Sequence, residues 1–162
     1  MKEKTLAFLT LLFGFTTNLF SDVDSMTGER LEDLIRELAG DEVVVGKNWI
    51  EFEFRNLQLV CIYDEPHNRM RIISPITRYT EVTENEKDKM MESNFHSALD
   101  ARYAVSGGVL YAAYIHPLRS LDSDDVLSAV YQVYSLRISF GSEYSSGILT
   151  FGGDGAPDEE AI

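Results

Sequence analysis

A chain of 162 residues has room for one domain with short terminal additions, and 44% apolar with 25% charged content belongs to a globular protein, not a disordered one. Its 27 acidic against 14 basic residues give a formal net charge of -13, which repels phosphate backbones and anionic headgroups and argues against nucleic-acid or membrane-surface binding. Cys61 is the only cysteine, so there is no internal disulfide; that fits a reducing compartment, and equally an exported domain large enough to need no staple.

Residues 1–21 read as a signal peptide. Lys2 and Lys4 flank Glu3, Leu6 to Phe15 is apolar apart from Thr10, and Thr16-Thr17-Asn18 leads to Leu19-Phe20-Ser21. That is a basic start, a short hydrophobic core and a cleavable region. The core is too short to span a bilayer comfortably, and its apolar residues surround a helix instead of lining one face. Leu19 is bulkier than the small residue preferred two places before a cut after Ser21. The expectation is a periplasmic or secreted protein with no stable membrane insertion after cleavage. The alternative is a cytoplasmic chain that keeps these residues.

Residues 22–150 read as a single domain. Ser25 to Ala39 predicts a helix with Leu31, Leu34, Ile35 and Leu38 on one face, Thr27 or Ser25 as cap and Gly40 as its stop. Val43-Val44-Val45 is a short strand or an extended link. Trp49 to Arg55 alternates Ile50, Phe52 and Phe54 with charged residues, a half-buried strand. Leu57 to Tyr63 is apolar on both sides, as a central strand is. After a turn at residues 64–68, Met70 to Ile76 makes a third strand, with Pro75 placing it near its end or at an edge.

Thr83-Glu84-Asn85-Glu86 is a capping box and opens a second helix, with Met91, Phe95, Ala98, Leu99 and Arg102 as its stripe and an end near Leu99. Residues 102–106 and 109–115 pair across Ser106-Gly107-Gly108 as a hairpin. Val109, Tyr111, Ala113 and Ile115 lie on one face of the second strand, with Leu110, Ala112 and Tyr114 on the other. Both faces are apolar, so both call for cover by helices or another subunit. A third helix starts at Asp122 or Ser123 and runs to about Gly141, striped by Leu127, Val130, Tyr131, Tyr134 and Ile138. Residues 151–162, glycine-rich and acidic, read as a disordered tail. The order α-β-β-β-α-β-β-α predicts an α+β fold with an antiparallel sheet of about five strands and helices packed on it.

The chemistry-bearing residues do not assemble into a catalytic pattern. Cys61 sits mid-strand and reads as packing, because a reactive thiolate needs an exposed electropositive setting. His96 and Asp100 have the spacing of an oriented imidazole, but no nucleophile accompanies them. His67 falls in a polar turn and His116 at a strand end, so the three histidines lack metal-ligand spacing. There is no nucleophile elbow, phosphate loop or dinucleotide fingerprint. The expectation is a non-enzymatic protein without cofactor or metal. Tyrosine offers contact area with one polar handle, and Tyr103, Tyr111, Tyr114, Tyr131 and Tyr134 gather in the second half. These are the candidate partner-binding residues.

Asn94-Phe95, Ala98-Leu99, Ala101-Arg102-Tyr103-Ala104-Val105, Gly108-Val109-Leu110 and Ile115-His116-Pro117-Leu118 carry a resemblance. With the elements before them they resemble, over about residues 25–150, the type III secretion chaperones of the Tir-chaperone type and their YbjN-like relatives. The resemblance implies an α+β domain that dimerises and holds extended segments of protein partners, or a sensory-transduction regulator. A signal peptide departs from the pattern, since secretion chaperones act in the cytosol. The combined expectation is an exported module that binds a protein or peptide partner, as a homodimer, by strand addition or in a groove.

Overall fold

The computed structural model describes residues 25–40 and 42–147; the signal peptide and the acidic tail expected from sequence lie outside them. Thr27 caps α1 (Gly28–Ala39), its hydroxyl accepting from the Arg30 N–H at 3.2 Å. Gly40, at φ 83°, closes the helix by donating its N–H to Arg36 O. Leu31 and Ile35 are buried while Leu34 and Leu38 are half-covered, as the periodicity requires.

One six-stranded antiparallel sheet follows, formed by β1 (Val43–Val45), β2 (Trp49–Phe54), β3 (Leu57–Asp64), β4 (Arg69–Arg78), β5 (Ala101–Ser106) and β6 (Val109–His116), in the order β1-β2-β3-β4-β6-β5. The expected α+β architecture is present with one more strand than the five counted, because Val43–Val45 pairs with β2 through Val44↔Glu51. Three β-branched residues make an extended segment, and the register with β2 turns it into a strand. Arg55 and Asn56 (φ 50° and 64°) turn β2 into β3, and Gly107 and Gly108 (φ 56° and 77°) turn β5 into β6. Pro75 lies at neither an end nor an edge. It occupies a register shift between Pro75 and Thr77 in β4, a central strand, where a bulge accommodates the missing N–H.

Ile50, Phe52, Leu59, Cys61, Met70, Ile72, Leu110 and Ala112 point to one face, and α1 with α3 (Ser123–Ile138) covers it. Asp122 caps α3 in a reciprocal capping box with Asp125. The buried face of α3 is Val126, Ala129, Val130, Val133 and Leu136, not the stripe expected from its largest residues: Leu127, Tyr131 and Ile138 are exposed. Close packing against the sheet selects Ala129 over bulkier neighbours. The helix stops at Ile138, short of Gly141.

The second helix, α2 (Glu84–His96), has the expected capping box from Thr83 and Glu86. It ends three residues early, and Leu99 takes φ 57° in the turn that follows. Its expected stripe is also corrected. Met91 and Phe95 are 69% and 78% exposed, while Met90 and Ser93 are buried. The helix sits against the edge of the sheet at β5, where it is tied by polar side chains, so hydrophobic periodicity was not the signal for its buried face.

A candidate partner-binding surface

The two edges of the sheet differ in backbone chemistry. Along β5 the odd-numbered residues turn their N–H and C=O away from β6, and side-chain amides meet them. Tyr103 N–H donates to Asn94 Oδ1 at 2.8 Å and Asn94 Nδ2 donates to Tyr103 O at 3.3 Å. Gln132 Oε1 accepts from Ala101 N–H at 3.1 Å and from Asp100 N–H at 2.9 Å. Asn94 thus stands in for a residue of a seventh strand, and this edge is closed over Ala101 and Tyr103.

The β1 edge is open. Gly46 N–H donates to Trp49 O at 2.8 Å, which with the register Val45↔Ile50 and Val43↔Phe52 turns the even residues of β1 toward β2. Val43 and Val45 therefore aim their N–H and C=O outward, and among the described residues nothing bonds to them. Val44 is 58% exposed. A short edge strand with free donors and acceptors at the backbone repeat can pair with an extended chain.

The face of the sheet opposite α1 and α3 has no described helix over it. Alternation places Val60 and Ile62 of β3, Ile73 of β4, and Tyr111 and Ile115 of β6 there, half-buried except for Ile115 at 60% exposed. Among the described residues, the expectation that both faces of β6 are covered therefore holds for the helix side only. Gly46 lets the Trp49 indole lie against the backbone; a Cβ at that position would collide with it.

The five tyrosines fall into three places. Tyr103 and Tyr114 are buried between sheet and helices, Tyr103 Oη donating to Leu136 O at 3.0 Å, so neither is available to a partner in the folded chain. Tyr111 lies on the uncovered face. Tyr131 and Tyr134 join Phe54 in a group of edge-on rings with centroids 5.1 and 5.5 Å from that of Phe54. The Arg55 guanidinium rests 4.9 Å from the Tyr131 centroid and 5.4 Å from that of Tyr134, a cation–π pairing that holds the β2–β3 turn on α3. What sequence reasoning missed is the edge: Val43 and Val45 become notable only once the parity of their hydrogen bonds is known.

Elsewhere the site chemistry is structural. Asp100 accepts from Gln132 Nε2 at 3.4 Å, and the His96 ring packs edge-on against Phe95, so the spacing of His96 and Asp100 does not become a pair. His67 contacts Asp64 at 2.8 Å in an exposed turn. Among the described residues no cluster of His, Cys, Asp and Glu is placed to hold a metal ion, and no helix is long and apolar enough to cross a membrane. Between α1 and α3 lies a groove of about 320 Å³, floored by Leu34, Leu38, Val126 and Leu127 and rimmed by Glu37 and Asp124.

The fold is similar to that of a chain in the HopA1–SchA chaperone–effector complex, with a TM-score of 0.54, 13% identity, and coverage of 68% of this chain and 88% of that one. A chain of the ExsC–ExsE complex is similar at a TM-score of 0.50 and 10% identity, over 65% of this chain and 86% of that one. At such identities the likeness is one of fold alone. No protein-family model matches the chain, and no curated protein matches it in sequence.

Burial sets the pH behaviour of the core. It pushes the Cys61 thiol from 9.0 up to about 12, and raises the Tyr114 phenol from 10.0 to about 12 with Asp100 and Asp125 adding to the shift; Tyr103 moves up for the same first reason. All three stay protonated when folded, whereas the unfolded chain releases these protons first. Their contribution is therefore complete below about pH 9 and falls away as pH climbs toward about 12. The expected result is a urea midpoint clearly lower at about pH 11 than at about pH 8; an equal or higher midpoint contradicts it.

Proposed function

We propose that this chain is a non-enzymatic protein-binding module that holds an extended segment of a partner by strand addition at β1, working as a homodimer. The observation that carries the reading is the asymmetry of the sheet: outward donors and acceptors at Val43 and Val45, against an opposite edge met by Asn94 and Gln132. The likeness to chains of the HopA1–SchA chaperone–effector complex and of the ExsC–ExsE complex supports a protein partner. The net charge of -13 favours a partner segment carrying Lys or Arg.

Selection of binders from a random peptide library, followed by NMR of the complex, tests it. Cross-strand contacts between peptide amides and those of Val43 and Val45 are expected. Peptides that bind without protecting these two amides from exchange sink the strand-addition reading. Export belongs to the same proposal and is motivated by residues 1–21: protein isolated from its host is expected to begin beyond Ser21, and an intact Met1 on the soluble protein removes it.

A further inference from the structure

We propose that residues 148–162 of this chain fold back over the uncovered sheet face, with Ile148, Leu149 and Phe151 on the apolar band beside Ile115 and the acidic residues behind them against the arginines of that face. The β1 edge stays free, so this inference stands apart from strand addition there.

The face carries cations that the described residues leave unmet. By alternation along the strands, Arg69, Arg71 and Arg78 of β4 and Arg102 of β5 lie on it, with Glu51, Glu53 and Asp64 as its acids. In the register only Arg69 has an acid opposite, Asp64. Arg71 stands between Ile62 and Ile115, and Arg102 is opposite Ala113. Among the described residues none of these four guanidinium groups forms an ion pair. Four cations against three acids give the face +1. Residues 148–162 hold Asp154, Asp158, Glu159 and Glu160 with no Lys or Arg, a charge of -4. Taking that +1 and that -4 from the total of -13 leaves -10 for everything else. The acidic segment is therefore repelled by the rest of the molecule and drawn to this face. Residues 1–21, the other stretch outside the described residues, have the wrong sign for it, with Lys2 and Lys4 against Glu3.

Chain position brings the segment to the matching end of the face. The last described residue, Gly147, lies at the β5 edge. Ser146 N–H donates to Ser97 O at 3.0 Å, and a Cβ on Gly147 would lie 3.1 Å from the Leu99 side chain. Leu99 O accepts in turn from the Arg102 guanidinium. Just beyond Leu99, Ala101 is opposite Tyr114, so this is the end of the face where Ile115 and Arg71 lie. Ile115, at 60% exposed, is the apolar side chain there with most area left to cover. Phe151 reaches about 13 Å from Gly147 when extended, and β4 is about 10 Å in from β5, two strand spacings. Asp158 to Glu160 reach about 36–43 Å, which leaves slack over Arg71 for the bends that Gly152, Gly153 and Gly155 permit. Tethering holds the segment at about millimolar effective concentration, so modest contacts suffice.

Paramagnetic relaxation, measured by NMR on the full chain with a nitroxide at Ala161→Cys, tests this; Cys61 is fully buried and stays unlabelled. The amides of Arg71, Ile73 and Ile115 are expected to broaden, and those of Leu34 and Leu127 on the helix side are not. Arg71→Glu is expected to lower the ratio of docked to free segment about fivefold, and Ile115→Glu about tenfold. Both side chains are exposed, so both variants keep the wild-type urea midpoint, which separates undocking from unfolding. No broadening on the face, equal broadening on both faces, or broadening unchanged in both variants overturns the inference. So does broadening of the same size in a mixture where nitroxide and isotope label sit on different molecules, because the segment then belongs to another copy. None of these outcomes touches peptide binding at Val43 and Val45, which is read separately by exchange of those two amides.

Discussion

Val45→Pro is expected to weaken the proposed strand addition at β1 sharply and to leave the fold in place. The Val45 N–H points out of the sheet, since Gly46, not Val45, donates to β2. Proline therefore removes a donor that the folded chain does not use. Its fixed φ suits a strand, and the preceding residue, Val44, is already in the extended region that proline imposes. An incoming strand, by contrast, loses one ladder hydrogen bond, leaves its own carbonyl unpaired and meets the pyrrolidine ring, a cost of about 2–3 kcal/mol, or roughly 30- to 100-fold in affinity. Val44→Pro is the contrasting variant, because Val44 faces Glu51 in a bonded position, and it costs stability instead. Fluorescence polarisation with a selected peptide and a urea titration of each variant separate the two effects. Peptide affinity within about threefold of wild type in Val45→Pro would falsify strand addition at this edge.

Asn94→Ala is expected to cost about 2–3 kcal/mol, the largest stability loss for any polar residue on α2. Two hydrogen bonds to the Tyr103 backbone disappear. Each contributes about 1 kcal/mol, and a backbone N–H left without a partner beside a buried side chain adds a desolvation cost of similar size. The unfolding temperature should drop by about 5–10 °C for a chain of this length. Stability alone does not identify the mechanism, so amide exchange at Tyr103 is the discriminating measurement. It should accelerate more than exchange at Ala112, its neighbour in β6. Asn94→Asp keeps the acceptor for Tyr103 N–H but sets a carboxylate against Tyr103 O, and is expected to fall between the two. Unchanged protection at Tyr103 in Asn94→Ala would show that α2 is held by something else.

Most of the fold was legible because local signals and burial agreed. Thr83 with Glu86, Asp122 at the head of α3, Gly40 behind α1 and the paired glycines at 107 and 108 all sit where capping and turn chemistry put them. The alternation of Ile50, Phe52 and Phe54 identified the covered face of β2. Legibility failed where a polar group performs the packing. Ser93 is buried with its hydroxyl donating to Tyr144 O, and the half-buried Asn94 pairs with a strand, so the apolar residues Met91 and Phe95 misled the assignment of the α2 face. In α3 the size of Leu127 and Tyr131 outweighed the small Ala129 that the sheet requires.

The partner-binding residues illustrate a different limit. Tyr111 could be placed on a face by counting from its neighbours, but the parity of β1 depends on a bond from Gly46 to Trp49, and no side-chain pattern in three valines reports it. Tyr103 and Tyr114 were singled out for composition, and burial in the monomer reassigns both to the core.

The closure of β5 by Asn94 and Gln132 also bears on assembly. Head-to-tail growth of a sheet through successive molecules requires each one to present two complementary edges, one to receive and one to give. Among the described residues β1 offers two outward positions, Val43 and Val45, whereas β5 is met at Ala101 and Tyr103 and leaves only Val105. Copies joined through β1 can meet only another β1, which ends the array at two, so concentration alone cannot drive the folded protein along its sheet axis into a filament. A carboxamide one helix away from the strand it guards thus blocks continuation of the sheet over Ala101 and Tyr103.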